Sequence, residues 1–355
     1  MIKIHTNPSH AQNWCQRFQG HQPAFVCVLG FTATSLIDGI SSAGVTAEDR
    51  KITAIADAEL LTRGKSTRLP PLSAGVSPAY ISRAVVAQLQ FPLYIFNAGL
   101  PQPPTVPHIN LGGVPAQCLT TGQALHLDCV KHLFQQGMHW GKKLAEAHPY
   151  IILSECVVGG TTTALAVLTA LGYSAHGKMG SSHPVCNHEQ KWQVVQQGLR
   201  KMPPTANPLT IVSAVGDPMQ ILVAGMAIAL SKQAGVLLAG GTQMLAVYGL
   251  LERLGATLGL AWHKENIIIG TTRWVAEDPT AQVIELAKQF PIPLVAGQLS
   301  FADSQYPELR IYESGFVKEG VGAGGAMISA HLYQNWRNQD FVRAIEHTLA
   351  NARSQ

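Results

Sequence analysis

The chain has 355 residues, 46% of them hydrophobic and only 13% charged, with 33 glycines and 21 prolines. That is enough apolar material for a large core in one domain or two, and it excludes a disordered chain, which needs low hydrophobicity and high charge. A net charge of +4 is scattered without basic clusters interleaved with aromatics, which argues against nucleic-acid binding and suits a phosphorylated small molecule.

The opening residues, MIKIHTNPSH, lack the apolar core of a signal peptide, and the expectation is a cytoplasmic protein. FVCVLGFT (25–32) and LYIFNAG (93–99) read as strands, with helical patterns at 47–62 and 78–90. LPQPPTVPH (100–108) is a proline-rich loop and the best internal boundary, although too short for an independent linker. Residues 124–147 form a long amphipathic helix or a helix pair. From about residue 149, short apolar runs alternate with helical patterns. Strands are expected at 150–154, 209–215 (LTIVSAV), 235–240, 266–272 and 292–297, and helices at 161–172, 191–201 and 219–230. Repeated strand–helix units predict an α/β fold with a mainly parallel, Rossmann-like sheet covered by helices on both faces. The apolar run 221–241 is interrupted by Ser231, Lys232 and Gln233, so it reads as a buried helix and strand, not a membrane span. Six cysteines without a C-x-x-C pair read as free thiols in a reducing compartment.

In such sheets ligands sit beyond the C-terminal strand ends. There, SECVVGGTTTALA (154–166) delivers Glu155, turns on Gly159 and Gly160, and offers Thr161 or Thr162 as a helix cap. Free N–H groups at that helix start make an anion site; the plainer reading is an ordinary turn with a capping threonine. AVGDPMQ places Asp217 after a predicted strand, either capping the next helix or bonding a ribose hydroxyl. GTTRW (270–274) brings Thr271, Thr272 and Arg273 to another strand end, and LAGGTQM adds a glycine pair. KEGVGAGGA (318–326) sets a lone acid, Glu319, before Gly320, Gly322 and Gly325. Their G-x-G-x-x-G spacing fails as a dinucleotide fingerprint, because no strand and acid follow as the βαβ unit requires. No P-loop and no G-x-S-x-G elbow occurs. His183, Cys186 and His188 have no standard metal spacing and read as a polar loop, so no metal is expected. Lys191 either is solvated or reaches back to a phosphate.

ECVVGGTTTA, GDPMQ and KEGVGAGGA, in this order, resemble the nicotinate-nucleotide:dimethylbenzimidazole phosphoribosyltransferase family, in a divergent branch shared by cyanobacteria and archaea. The likeness spans roughly residues 50–335. It implies a three-layer α/β/α domain over 1–355, with a smaller helical part from about 1–50 and 330–355, and a homodimer that uses no cofactor or metal. It also implies Glu319 as general base and Glu155 as the second active-site carboxylate. Gly159, Gly160, Thr161, Thr162, Lys191, Asp217, Thr271 and Thr272 would surround phosphate and ribose. AGVSPAY (74–80) would flank the base with Val76 and Ser77, helped by Gly320 and Gly322. The implied substrates are nicotinate mononucleotide and an aromatic base, with no nucleic-acid or membrane partner. The sequence departs from the family pattern at Val157, at Gly160, which replaces an asparagine, and at Ala74, which replaces a glutamine touching the base. That last change leaves the acceptor open between dimethylbenzimidazole, adenine and another base. Two other readings stay open: a nucleotide-binding protein of the same fold with weakened turnover, and a dinucleotide-dependent oxidoreductase.

Overall fold

The computed structural model describes residues 1–70, 72, 74–204 and 206–353; of the expected domain 1–355, residues 354 and 355 lie outside the described residues. Strand β1 (Ile2–Ile4) and helix α1 (Pro8–Phe18) lead into β2 (Ala24–Gly30), α2 (Ala47–Arg63), α3 (Ala79–Gln88), β3 (Leu93–Gly99) and β4 (Ile109–Asn110). Then come α4 (Leu127–Ala145), β5 (Tyr150–Cys156), α5 (Gly160–Ala170), α6 (His188–Leu199), α7 (Pro208–Val215), α8 (Pro218–Leu230) and β6 (Gly235–Ala239). The chain continues through α9 (Thr242–Leu258), β7 (Ile267–Thr272), α10 (Arg273–Ala276), α11 (Val283–Ala287) and β8 (Leu294–Gly297). It finishes with α12 (Pro307–Arg310), α13 (Ala323–Gln334) and α14 (Asn338–Arg353).

The strands form one sheet in the order β1-β8-β7-β6-β5-β2-β3-β4, parallel except for β1 against β8. Side chains alternate across it. Val26, Val28, Ile151 and Leu153 enter a core with α4, α5, α8 and α9. Phe25, Cys27, Leu29, Tyr150 and Ile152 enter a second core with α2, α3, α13 and α14. Strands buried on both faces carry near-continuous apolar runs, which is why β2, β5 and β7 lack polar alternation. The result is an α/β/α sandwich.

Three expectations change. LTIVSAV is helix α7, not a strand. Its β-branched residues suggest extension, but the Asn207 side chain accepts N–H bonds from Leu209 and Thr210, and Pro208 sits in the first turn. Such a cap with proline behind it nucleates a helix. The proline-rich loop does not divide the fold, since β4 directly after it pairs with β3. The first 50 residues, expected in a peripheral helical part, supply β1 and β2; β2 is apolar on both faces and fits only inside the sheet. At the other end α14 does form, packed on α3. Residues 124–147 give the single helix α4.

The strand order reverses between β2 and β5: β3 and β4 extend one way, and β6, β7 and β8 the other. A reversal of this kind splays the connections apart and opens a crevice at the carboxyl ends of the two strands.

Candidate active site

A cleft of about 1190 Å³, counted to its open mouth, lies at that reversal. Ser41, Ser42 and Ala43, after β2, line one side; Glu155 through Thr161, after β5, line the floor. Gly241, Thr242 and Gln243 enter from the start of α9, and Lys318 through Val321 from the loop before α13. Gly180, Ser181 and Ser182 join them, Gly180 lying next to Thr242, and Leu69, Pro70, Leu72, Ala74, Pro78 and Val317 add apolar lining.

Glu319 answers the question its glycine-rich motif raises. Its carboxylate accepts four hydrogen bonds: Thr271 Oγ1 (3.0 Å) and Thr272 N–H (2.9 Å) on one oxygen, Gly320 and Gly324 N–H (both 3.2 Å) on the other. Gly324 lies in the first turn of α13, so the acid also caps that helix, where a negative charge is favoured. The glycine there allows close approach: a Cβ on Gly324 would lie 2.1 Å from the carbonyl carbon of Thr271. The backbone around Glu319 is strained. Val317, Lys318 and Val321 have φ of 67, 62 and 50°, conformations that branched or bulky residues avoid. Each costs on the order of 1–3 kcal/mol. Bonds to a carboxylate contribute about 1.5–3 kcal/mol apiece, so four of them are of the size needed to offset that strain and hold the acid in place. Burial pushes Glu319 up to about 7, against the pull of those four donors.

Glu155, at the end of β5, is 5% exposed. Its oxygens accept the Val157 N–H (2.9 Å) and the Gln243 side-chain amide (2.8 Å). Burial, reinforced by Asp217 and Glu319, raises it to about 8. The Glu155–Glu319 interaction means that the two acids share one electrostatic environment. Asp57 is a third buried carboxyl in the cleft. It accepts from Ser77 Oγ at 2.6 Å, with the Cys156 thiol 3.4 Å from its other oxygen, and burial raises it to about 6.

Gly159, Gly160 and Thr161 line the cleft as expected, but no threonine caps α5. The cap is Gly159 itself, at φ 80°, so the start of the helix carries no side-chain partner. Thr162 is buried away from the cleft with its hydroxyl unpaired. The start of α9, at Gly241, likewise lacks a side-chain cap. A Cβ on Gly160 would overlap Gln243 Oε1 at 1.9 Å, so the glutamine fills the space beside this glycine.

Other expected residues stand behind the wall. Thr271 and Thr272 are fully buried; their hydroxyls bond Glu319 and the Lys318 carbonyl, so they position the acid and do not line the cleft. Asp217 is also fully buried, capping α8 and accepting from Thr163 at 2.6 Å, which replaces the ribose contact with a structural one. Lys191 is 1% exposed and donates to the Gly180 carbonyl at 2.8 Å; burial lowers it to about 8. It therefore braces the loop 180–182 from beneath. Ser77 and Gly320 line the cleft, whereas Val76 offers its carbonyl to Tyr312 and Gly322 packs on Ser154. His183 and His188 bond the Gly39 and Thr280 carbonyls, and Cys186 lies against Thr280 and Asp278. Arg273 pairs with Glu313. The sequence reading missed Asp57, Gln243, Ser181, Ser182 and the buried Lys318–Asp278 pair (2.5 Å). For Asp57 there was a signal, an acid inside the apolar helical run TAIADAELL.

Fold and site together define an open α/β protein with a small-molecule cleft at its sheet reversal, lined by carboxyls at glycine-bearing strand ends. Residues 38–257 match the family model described as Phosphoribosyltransferase. The chain is 58% identical over 353 residues to a UPF0284 protein of Cyanothece sp., covering 98% of this chain and 96% of that one. It is 59% identical over 354 residues to one of Microcystis aeruginosa, covering 98% of each. Among solved structures it is similar in fold to CobT from Thermus thermophilus, with a TM-score of 0.62 at 15% identity over 96% of this chain and 92% of that one. A nicotinate-nucleotide-dimethylbenzimidazole phosphoribosyltransferase structure from the same organism gives 0.60 at 16%, with the same coverage. The chain belongs to the nicotinate-nucleotide:dimethylbenzimidazole phosphoribosyltransferase family, in a divergent branch.

Proposed function

We propose that the protein transfers the 5-phosphoribosyl group of nicotinate mononucleotide to a ring nitrogen of a benzimidazole or purine base. The product is an α-ribazole-phosphate-type nucleotide for cobamide lower-ligand synthesis. The observation that carries this reading is that Glu319 and Glu155 line one cleft with the uncapped start of α5.

The bond that breaks joins ribose C1 to the pyridinium nitrogen. Its electron pair stays with the ring, which leaves as nicotinate, so the leaving side needs no acid. The incoming base attacks C1 through one ring nitrogen with inversion, and its N–H proton passes to Glu319. A carboxyl near 7 suits that exchange, because a base works best with a pKa close to the working pH. Glu155 faces the positive charge developing on the ribose. The phosphate takes the end where the starts of α5 and α9 meet the loop 180–182, since backbone N–H groups and helix dipoles favour an anion there. Holding both substrates in line supplies much of the remaining rate. The homodimer and the cytoplasmic location belong to the same proposal, and light scattering tests the former.

The test is Glu319→Gln, assayed by chromatography for an α-linked nucleotide. Loss of a general base lowers kcat by about 10²–10⁴-fold. A variant within threefold of wild type removes Glu319 from this role.

A further inference from the structure

Of the three carboxyls in the cleft, the proposed reaction leaves Asp57 unused. It projects from the middle of α2, is 6% exposed, and lines the cleft beside Ser77 and Cys156, in a lining that also includes the apolar Leu69, Leu72, Ala74, Pro78 and Val317. Ser77 donates to its Oδ1 at 2.6 Å and also accepts the Ala79 N–H at 3.1 Å, so the serine proton is committed to the aspartate. A carboxylate carries about four acceptor sites and no donor. Ser77 takes one, and the Cys156 thiol, at 3.4 Å, weakly takes another. Among the described residues no further donor is bonded to this carboxylate, so Asp57 brings spare acceptor capacity to the cleft. Burial, and after it the charges of Asp57 and Glu319, push up the hydroxyl of Tyr312, which donates to the Val76 carbonyl.

Resting on the transferase reading, we infer that Asp57 selects the acceptor base. It accepts a hydrogen bond from an N–H or O–H donor on the edge of a bicyclic aromatic base, remote from the nitrogen that attacks ribose. The acceptor class is then an amino- or hydroxyl-bearing heterocycle, such as an aminopurine or a hydroxybenzimidazole. A dimethyl-substituted edge would press methyl groups against a buried acceptor and leave it unpaired. A site built around a polar group rejects the analogue that lacks it far more strongly than an apolar slot rejects an added group. Asp57 is raised only to about 6 by burial, so above neutrality it is the anion and offers acceptors alone.

The experiment compares adenine, 5-hydroxybenzimidazole and 5,6-dimethylbenzimidazole in two measurements. One is kcat/KM with nicotinate mononucleotide; the other is equilibrium binding of each base by calorimetry. Wild type is expected to favour the two donor-bearing bases by about 10- to 100-fold, the range an unpaired buried acceptor imposes. Asp57→Asn, which keeps the shape, reduces that ratio by about tenfold, and Asp57→Leu inverts it. Preference of wild type for dimethylbenzimidazole overturns the inference while leaving the transferase reading intact. So does a ratio unchanged within about twofold in both folded variants, where the loss of a real contact shifts it more. If no base yields a nucleotide, the transferase reading falls. The binding series then decides on Asp57 alone: tighter binding of adenine that weakens in Asp57→Asn supports it, and equal binding of all three bases overturns it.

Discussion

Replacing Thr271 by valine isolates what holds the proposed base at its working pKa. The substitution keeps the branched shape at a fully buried position and removes one donor, the hydroxyl 3.0 Å from Glu319 Oε2. The other three donors to Glu319 are backbone N–H groups and stay. A hydrogen bond to a charged group contributes about 1.5 kcal/mol or more, and 1.36 kcal/mol corresponds to one pKa unit. Glu319 therefore climbs from about 7 to roughly 8. The sign follows from its role: the anion takes the proton, so activity rises with pH, and the variant delays that rise. At pH 7 the ionised fraction falls from about a half to about a tenth, a roughly fivefold loss of kcat/KM. Above about pH 9 both enzymes ionise fully and the loss disappears. The assay is a pH profile of kcat/KM, whose acid limb reports the base of the free enzyme. An acid limb that does not move, or a loss that persists undiminished at high pH, refutes the assignment.

Two further substitutions test the frame around the acid. Gly324→Ala ordinarily stabilises a helix, yet here its Cβ would meet the Thr271 backbone at 2.1 Å. We expect a fall of about 5 °C or more in Tm by calorimetry, and an unchanged Tm would refute the tight approach of α13 to β7. Lys318→Met strands Asp278, both side chains being at most 3% exposed, at a cost of about 3–5 kcal/mol in denaturant unfolding. Lys318→Met with Asp278→Asn recovers most of that loss if the pair is the cause.

The sheet was legible because its strands are apolar on both faces and turn polar or small only toward their carboxyl ends, as YIILSEC and IIIGTT show. LTIVSAV misled because β-branched composition describes a fit to a surface, whereas Asn207 and Pro208 fix the backbone before the run begins. Glu319 was legible from its glycines, which mark a close approach. What the glycines do not announce is that non-glycine neighbours at 317, 318 and 321 share the left-handed conformation, because only tertiary bonds hold them there. The family resemblance points Thr271, Thr272 and Lys191 at a phosphate. Their orientation decides otherwise: the Thr271 hydroxyl and the Thr272 N–H go to Glu319, the Thr272 hydroxyl goes to the Lys318 carbonyl, and α6 turns the lysine to the underside of the loop 180–182. Asp57 was missed although its run TAIADAELL is largely apolar, because it and Glu59 read as ordinary helix acids until the helix is seen buried along residues 53–61.

A cleft with three acids is an unexpected receptor for the proposed phosphorylated substrate, and the raised pKa values bear on that conflict. With Glu155 at about 8, the empty cleft near neutrality holds a proton there, so the acids do not present a full triple charge to an incoming phosphate. Lys318 adds little, being committed to Asp278. Attraction for the anion falls to the starts of α5 and α9, whose partial positive charges need no counter-ion and do not titrate. In the proposed reaction the other end of the substrate is a cationic pyridinium, and a cation beside Glu155 favours its ionised form. On the proposed reading that local charge would draw the proton off, leaving a carboxylate where positive charge grows on ribose. The amide of Gln243 and the N–H of Val157 already point at its oxygens, so the anion forms into donors that need no rearrangement. Burial keeps the charge off Glu155 while the site is empty.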